Sequence, residues 1–162
     1  MAETGRALRG FTTQHTIEGP AGLDVPTFLE EVEAVAKNFL RVRSGRKINF
    51  ILTCTMEKGN DKVVRDSVPF LSATSIILEG TDLDKVYNSS THRMMESMSN
   101  FQKLGSGWRF VRVEKLDINS VIYKPLRASS YIPLPKKLAG KKAIVNIKNS
   151  NYYINIMLDL YF

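Results

Sequence analysis

The residues with the clearest chemical character in this 162-residue chain are lysines and arginines, and many of them lie in one stretch without acids. No Asp or Glu occurs from Ile118 to Leu158, which contains seven bases: Lys124, Arg127, Lys136, Lys137, Lys141, Lys142 and Lys148. Removing these seven from the chain's 23 Lys and Arg leaves 16, equal to the number of Asp and Glu, so the formal charge of +7 belongs to this stretch. Clustered bases attract phosphate-bearing partners because binding releases counterions, although the same charges also suit a solubilising segment.

Aromatic side chains are interleaved with these bases. Tyr123 and Tyr131 can stack on unpaired nucleobases while neighbouring cations contact phosphates. Pro125, Pro133 and Pro135 favour extended backbone, which suits tracking along a nucleic-acid strand. The predicted nucleic-acid-binding residues are Tyr123, Lys124, Arg127, Tyr131, Lys136, Lys137, Lys141 and Lys142. Aromatic residues and lysines also occur in arms that dock onto proteins, so a protein-docking segment is an alternative interpretation.

The residue types used in catalysis form no motif of a known kind. The two histidines, His15 and His92, are far apart in sequence and lack neighbouring cysteine or acidic ligands. Cys54, the single cysteine, lies in the apolar run Ile48 to Met56, which is typical of a buried core thiol. Ser75 lacks the glycine flanks of a nucleophile elbow. We therefore predict no enzymatic activity, no metal, no cofactor and no small-molecule substrate.

Two amphipathic segments predict helices. The first follows Asp24, a good N-cap, and carries an apolar stripe at three- and four-residue steps. The stripe comprises Phe28, Leu29, Val32, Val35, Ala36, Phe39 and Leu40. The second helix is expected to begin after Thr81 as N-cap, with Met94 and Met98 packed in the core. Asn88 to Thr91 is poor helix material and predicts a break or bend there.

Four segments with strand character accompany these helices. A weak strand is predicted at Phe11 to Ile17, and a stronger one with alternating apolar residues at Ile48 to Glu57. Another is expected within Val68 to Leu78, and a long strand or strand pair, with a bulge near Phe110-Val111, from Trp108 to Tyr123. The order β-α-β-β-α-β predicts an α+β fold with two helices on one face of an antiparallel sheet, and the ferredoxin-like arrangement is one candidate topology.

Changes in composition and hydrophobic patterning divide the chain into three parts. Residues 1–10 carry little pattern and are expected to be loose, residues 11–123 should form the α+β domain, and residues 124–162 should form a basic, proline-containing tail. No apolar run approaches the roughly 20 residues that span a bilayer, and the N-terminus lacks the apolar core of a secretory signal. These features predict an intracellular location without membrane contact, and the nucleus is one candidate compartment.

An ordered series of short motifs runs from Gly105 to Asn149. Its members are Gly105-Ser-Gly-Trp108, Val113-Glu-Lys-Leu116, Tyr123-Lys-Pro-Leu-Arg127, Ser129-Ser-Tyr-Ile-Pro-Leu-Pro135, Lys141-Lys-Ala-Ile144 and Asn146-Ile-Lys-Asn149. The series resembles a segment of proteins encoded by Maverick (Polinton) elements, the large virus-like DNA transposons of animal genomes. In those proteins the segment lies upstream of a nuclease-like region and a protein-primed B-family DNA polymerase. The resemblance implies a module of a mobile-element replication protein, with nucleic acid and replication-related proteins as partners.

The sequence departs from that family after Asn149, where the family usually continues with an acidic residue and a Cys-aromatic-Trp stretch. Here Ser150 to Phe162 follows, and the chain contains neither the nuclease nor the polymerase region. Asp117 and Asp159 cannot by themselves assemble the metal-binding carboxylates of a polymerase palm. We therefore expect a non-catalytic module that contacts nucleic acid through its basic C-terminal segment. The alternatives are a protein-docking module or a truncated fragment of a larger polyprotein without its own activity.

Overall fold

The computed structural model describes residues 1–59, 62–103 and 105–124. This part of the chain contains two α-helices and one six-stranded antiparallel sheet, so the predicted α+β class is confirmed. In chain order the elements are β1 (Ala2–Ala7), β2 (Thr12–Glu18), α1 (Val25–Arg41), β3 (Arg46–Lys58), β4 (Val64–Leu71), β5 (Ser75–Ile77), α2 (Leu83–Phe101) and β6 (Trp108–Ile122). Met1–Tyr123 form one compact unit. None of the described helices is long and apolar enough to cross a membrane.

Each helix connects strands that are separated by one other strand of the sheet. The strand order is β1-β2-β6-β3-β4, and the short β5 pairs with one end of β3. The helix α1 leads from β2 to β3, which run parallel because both are antiparallel to the intervening β6. The helix α2 follows β4 and β5 in the chain and leads to β6. In the sheet, β3 lies between β4 and β6. These are two split βαβ units, as the element order predicts. Among the four main strands the second and fourth are central, whereas a ferredoxin-like sheet has its first and third strands at the centre.

The core lies between the sheet and both helices. Alternate residues of β3 from Ile48 to Met56 are fully buried, and Leu116 and Ile118 of β6 lie beside them. The buried faces of α1 and α2 belong to the same cluster, so both helices cover one face of the sheet. The Tyr87 hydroxyl of α2 donates a hydrogen bond to the Leu29 carbonyl of α1 over 2.6 Å and joins the two helices.

The start of α1 agrees with the prediction, and the start of α2 is shifted by one residue. The Asp24 carboxylate accepts a hydrogen bond from a backbone N–H in the first turn of α1 over 2.9 Å. Asp82, not Thr81, caps α2 in the same way, with a 3.0 Å bond. The Thr81 hydroxyl instead accepts from the Leu78 N–H over 2.8 Å and closes the preceding turn. The predicted break at Asn88 to Thr91 is absent from the continuous helix, because packing of this face overrides weak propensity.

Residues 1–10, which were expected to be loose, instead contain the edge strand β1. It pairs with β2 from Ala2 to Ala7 and has one irregularity near Gly5. The Thr4 and Thr16 hydroxyls are hydrogen-bonded across this pair at 2.8 Å. Most of β1 is exposed, so its sequence lacks the alternation that reveals a strand with one buried face.

The strand β4 begins earlier than predicted, and β6 has the predicted irregularity. β4 starts at Val64. Pro69 lies near the end of β4, opposite Thr53 of β3. β4 is an edge strand of the sheet, which is where proline, with no N–H to donate, is tolerated. In β6 the pairing with β3 shifts twice, leaving Val111 and Glu114 as extra residues. The bulge expected near Phe110-Val111 is therefore confirmed, and a second one turns Glu114 away from the core.

Candidate nucleic-acid interface

Two of the predicted nucleic-acid-binding residues, Tyr123 and Lys124, lie in the described part of the chain, directly after β6. The other six lie outside the described residues: Arg127, Tyr131, Lys136, Lys137, Lys141 and Lys142. The structure therefore places the start of the basic segment at one end of the sheet. The surroundings of that end define the candidate interface.

Tyr123 is held by β3 and lies next to a cation. Its backbone N–H donates to the Gly45 carbonyl over 2.8 Å, which extends the pairing of β6 with the chain before β3. The Lys47 ammonium lies 5.3 Å from the centroid of the Tyr123 ring, within the range of a cation–π interaction. The ring is partly exposed and Lys47 is exposed. A ring flanked by a cation can stack on an unpaired base while the cation contacts a phosphate.

Four segments of the chain meet at this end of the sheet: residues 3–12, 42–47, 75–79 and 120–124. The Ile122 N–H donates to the Phe11 carbonyl over 3.0 Å, and Arg46 lies opposite Ile122 in the β3–β6 pairing. The segments contain six bases, which we call the basic end: Arg6, Arg9, Arg43, Arg46, Lys47 and Lys124. Their acids are Glu3, whose carboxylate accepts two hydrogen bonds from Arg6 at 2.7 and 3.2 Å, and Glu79, which is exposed in the turn after β5. Six bases against two acids leave this end of the sheet with net positive charge beside Lys124, the first base of the acid-free stretch.

His15 lies on the helix-covered side of the basic end. Its ring packs against Phe39 with a centroid distance of 4.5 Å, and the Arg43 guanidinium lies 3.8 Å from the Phe39 centroid. The His15 Nε2 atom is 3.3 Å from Arg43 and 3.6 Å from a carboxylate oxygen of Glu3. Burial, reinforced by Arg43, lowers the pKa of His15, so the imidazole is neutral at neutral pH. His92 is exposed on α2 and belongs to no site with His15.

Acidic side chains on the sheet face opposite the helices already have hydrogen-bond partners. The Ser67 and Thr55 hydroxyls donate to Glu114, each over 2.7 Å, and hold the pKa of Glu114 below its ordinary value. Asp117 is buried and accepts from the Thr16 hydroxyl over 2.5 Å. In the described ranges, no group of three His, Cys, Asp or Glu residues is arranged to hold a metal ion.

Cys54 is a core residue, as predicted. Its side chain is fully buried on β3, and burial together with the nearby Glu114 raises the pKa of the thiol to about 12. A thiol with such a pKa stays protonated and is a poor nucleophile. Met94 is likewise fully buried, while Met95 and Met98 pack at the edge of the core, so these methionines form no exposed binding face.

Sequence reasoning missed five of the six bases at this site. They are Arg6, Arg9, Arg43, Arg46 and Lys47, and composition counted them as balanced by acids elsewhere in the chain. Strand pairing, which composition does not reveal, brings these segments together. One local signal was present: three bases occur in the five residues from Arg43 to Lys47, directly after α1.

Comparison with known proteins gives one distant structural match. No protein-family model matches the chain, and no curated protein matches it either. A solved structure described as "Insertion ternary complex of Dbh DNA polymerase" aligns with a TM-score of 0.40 and 13% identity over 70% of this chain. The aligned chain spans 29% of the length of that polymerase chain. Similarity at this level carries no argument about function, and the resemblance to Maverick elements stays a prediction.

Proposed function

We propose that this chain is a non-catalytic module, derived from a mobile-element replication protein, that contacts nucleic acid through its basic C-terminal segment. The supporting observation is the position of Lys124, the first base of the acid-free stretch. Five further bases and the Tyr123 ring lie at the same end of the sheet, against two acids, of which Glu3 is paired with Arg6.

The proposed contacts divide into two kinds. Lys and Arg side chains contact phosphates without reading sequence, and they make affinity depend on salt. Tyr123 and Tyr131 stack on bases that are not paired, which favours single-stranded over duplex nucleic acid. Lys47 supports this role of Tyr123 because its ammonium already lies beside the ring.

The proposal is tested by oligonucleotide binding at several salt concentrations. Fluorescence anisotropy of labelled single-stranded and duplex oligonucleotides, titrated with the full chain between about 50 and 200 mM KCl, measures the slope of log affinity against log salt. Replacing Lys136, Lys137, Lys141 and Lys142 by Ala should weaken binding. It should also flatten the single-strand slope by about 0.7 for each phosphate that is no longer neutralised, or about 3 in all.

A matched control removes the same amount of charge elsewhere. Lys62, Lys85, Arg93 and Lys103 are exposed and lie on α2 or outside the basic end. Their replacement by Ala should leave most of the affinity and the slope unchanged. Equal losses in both variants would mean that net charge alone governs binding and would contradict the proposal, as would a shallow slope in the wild type.

The protein-docking alternative predicts a different pattern. A docking arm retains its partner at high salt because its charges stay solvated at the rim of the interface. Its binding is abolished by Tyr131→Ala or Ile132→Ala and survives the four-lysine replacement. Salt-tolerant capture with that mutational pattern would replace the nucleic-acid proposal.

A further inference from the structure

Three arginines lie near His15 on the helix-covered side of the basic end, and Arg43 contacts its ring. Arg43 contributes a hydrogen bond to the His15 ring at 3.3 Å, and Arg46 donates to the Ser120 hydroxyl at 3.2 Å. Arg6 lies opposite Thr13 in the β1–β2 pairing, next to the position of His15. The electrostatic field at His15 accordingly includes all three guanidinium groups together with Glu3. The cluster draws on β1, β2, β3 and the turn after α1.

Two buried polar atoms in this cluster have no hydrogen-bond partner in the described part of the protein. They are Thr13 Oγ1 and His15 Nδ1, on residues whose exposed fractions are only 7% and 6%. Buried polar groups in proteins are nearly always satisfied, so an orphaned pair indicates a missing partner. With Nε2 accepting from Arg43, the imidazole proton lies on Nδ1, which makes that atom a donor. Thr13 lies between Arg6 on β1 and Ser120 on β6, the residue that holds Arg46.

The charges of the cluster are also unbalanced. Glu3 is its one carboxylate, and Arg6 already occupies both of its oxygens. Burial lowers the pKa of Arg43, and repulsion from the nearby Arg46 guanidinium lowers it further. Hydroxyl, imidazole N–H and guanidinium groups are all donors, and their common acceptor is an oxyanion. The planar fork of a guanidinium matches the oxygens of a phosphate group.

We propose that Arg6, Thr13, His15, Arg43 and Arg46 form a binding site for a phosphate group. Arg43 and Arg46 contact the phosphate oxygens, and the Thr13 hydroxyl and the His15 Nδ1–H are further donors to them. The His15 Nε2 atom positions Arg43, and Arg6 neutralises Glu3, the carboxylate nearby. The phosphate belongs either to a nucleic acid or to free inorganic phosphate. In the first case the site rests on the proposed function, because it anchors the strand bound by the basic segment.

The test measures thermal unfolding of the full chain in potassium phosphate against KCl of equal ionic strength. Wild type should show a saturable rise in Tm of several degrees at phosphate about 100-fold above its dissociation constant. Arg43→Met and Arg46→Met should lose this rise, with each variant compared with its own Tm in KCl. Arg41→Met is the matched control, since Arg41 is exposed in the last turn of α1 and pairs with Asn38. It should keep the full rise.

Oligonucleotide binding distinguishes the two sources of phosphate. If the group belongs to nucleic acid, inorganic phosphate competes with a labelled oligonucleotide, and Arg43→Met weakens oligonucleotide binding several-fold. If free phosphate is the ligand, wild type keeps its Tm rise in phosphate, while wild type and Arg43→Met bind the oligonucleotide with equal affinity. A Tm rise without any oligonucleotide binding supports the site and overturns the proposed function. No rise beyond that in KCl, or an equal rise in Arg43→Met and Arg46→Met, overturns the site.

Discussion

The imidazole of His15 lies against the Phe39 ring, with Arg43 at 3.3 Å and the Glu3 carboxylate at 3.6 Å from its Nε2 atom. The charged groups that act on it are Glu3 and Arg6 of β1, Arg43 after α1 and Arg46 of β3. Burial and the cations disfavour a second proton, and Glu3 is too strongly engaged by Arg6 to offset them. A residue with no sequence motif around it thus gains a defined protonation state from its neighbours.

At the residue scale we expect stability to fall with acidification because of His15. The unfolded chain protonates this residue near pH 6.5, and the folded protein does so only at a lower pH. Between these values the unfolded state binds more protons, so the stability is fully present above about pH 7 and declines as the pH drops through about 6. Urea unfolding should be measured at about pH 7.5 and at about pH 5.5. The decrease in the free energy of unfolding between the two pH values should be smaller for His15→Gln than for wild type. His92→Gln, an exposed control, should behave as wild type, and equal losses in all three proteins would refute this origin.

At the scale of helices and strands, the elements with one apolar face were predictable from the sequence. The Asp24 cap and apolar stripe indicate α1, and the alternation from Ile48 indicates β3. β1 was missed because an exposed edge strand needs no alternating pattern. The predicted break in α2 was wrong because propensity near Asn88 says nothing about the packing partners that bury Ser90.

The contact between the two helices gives a second prediction. The Tyr87 hydroxyl is buried, and burial raises its pKa, so it remains a donor to the Leu29 carbonyl under all ordinary conditions. Tyr87→Phe should lower the free energy of unfolding by about 1 kcal/mol, since one buried hydrogen bond is removed without a cavity. Ser89→Ala on the exposed face of α2 should cost less than about 0.5 kcal/mol. Urea titrations of the three proteins measure the difference, and an unchanged Tyr87→Phe midpoint would show that this bond contributes nothing.

At the scale of the whole molecule, the position of the positive charge depends on topology. Composition alone located the acid-free segment but treated the preceding residues as neutral. Arg6 and Arg46 are 40 positions apart in sequence and lie on strands β1 and β3 at the same end of the sheet. No sequence pattern predicts that meeting, because it depends on the order in which strands pair.

The proposal assigns folding to the domain and most nucleic-acid contacts to the acid-free segment, which gives a third prediction. The core cluster lies within Met1–Tyr123, so a chain that ends at Lys124 should unfold in one cooperative urea transition. The same chain should bind single-stranded oligonucleotides much more weakly than the full chain, because it keeps the basic end and loses most of the acid-free segment. A non-cooperative transition would favour the interpretation of the chain as a fragment of a larger polyprotein. If the shortened chain kept the full affinity, the basic end alone would account for binding.

The central position of β6 has a consequence for how this protein folds as it leaves the ribosome. β2 and β3 do not touch each other, because β6 lies between them and pairs with both. Until β6 has emerged, the inner edges of β2 and β3 both lack the strand that pairs with them in the folded sheet. Both exposed edges can then capture a strand of another chain. The nascent chain is therefore most vulnerable to aggregation just before β6 emerges, and a pause in translation there should reduce the yield of soluble protein.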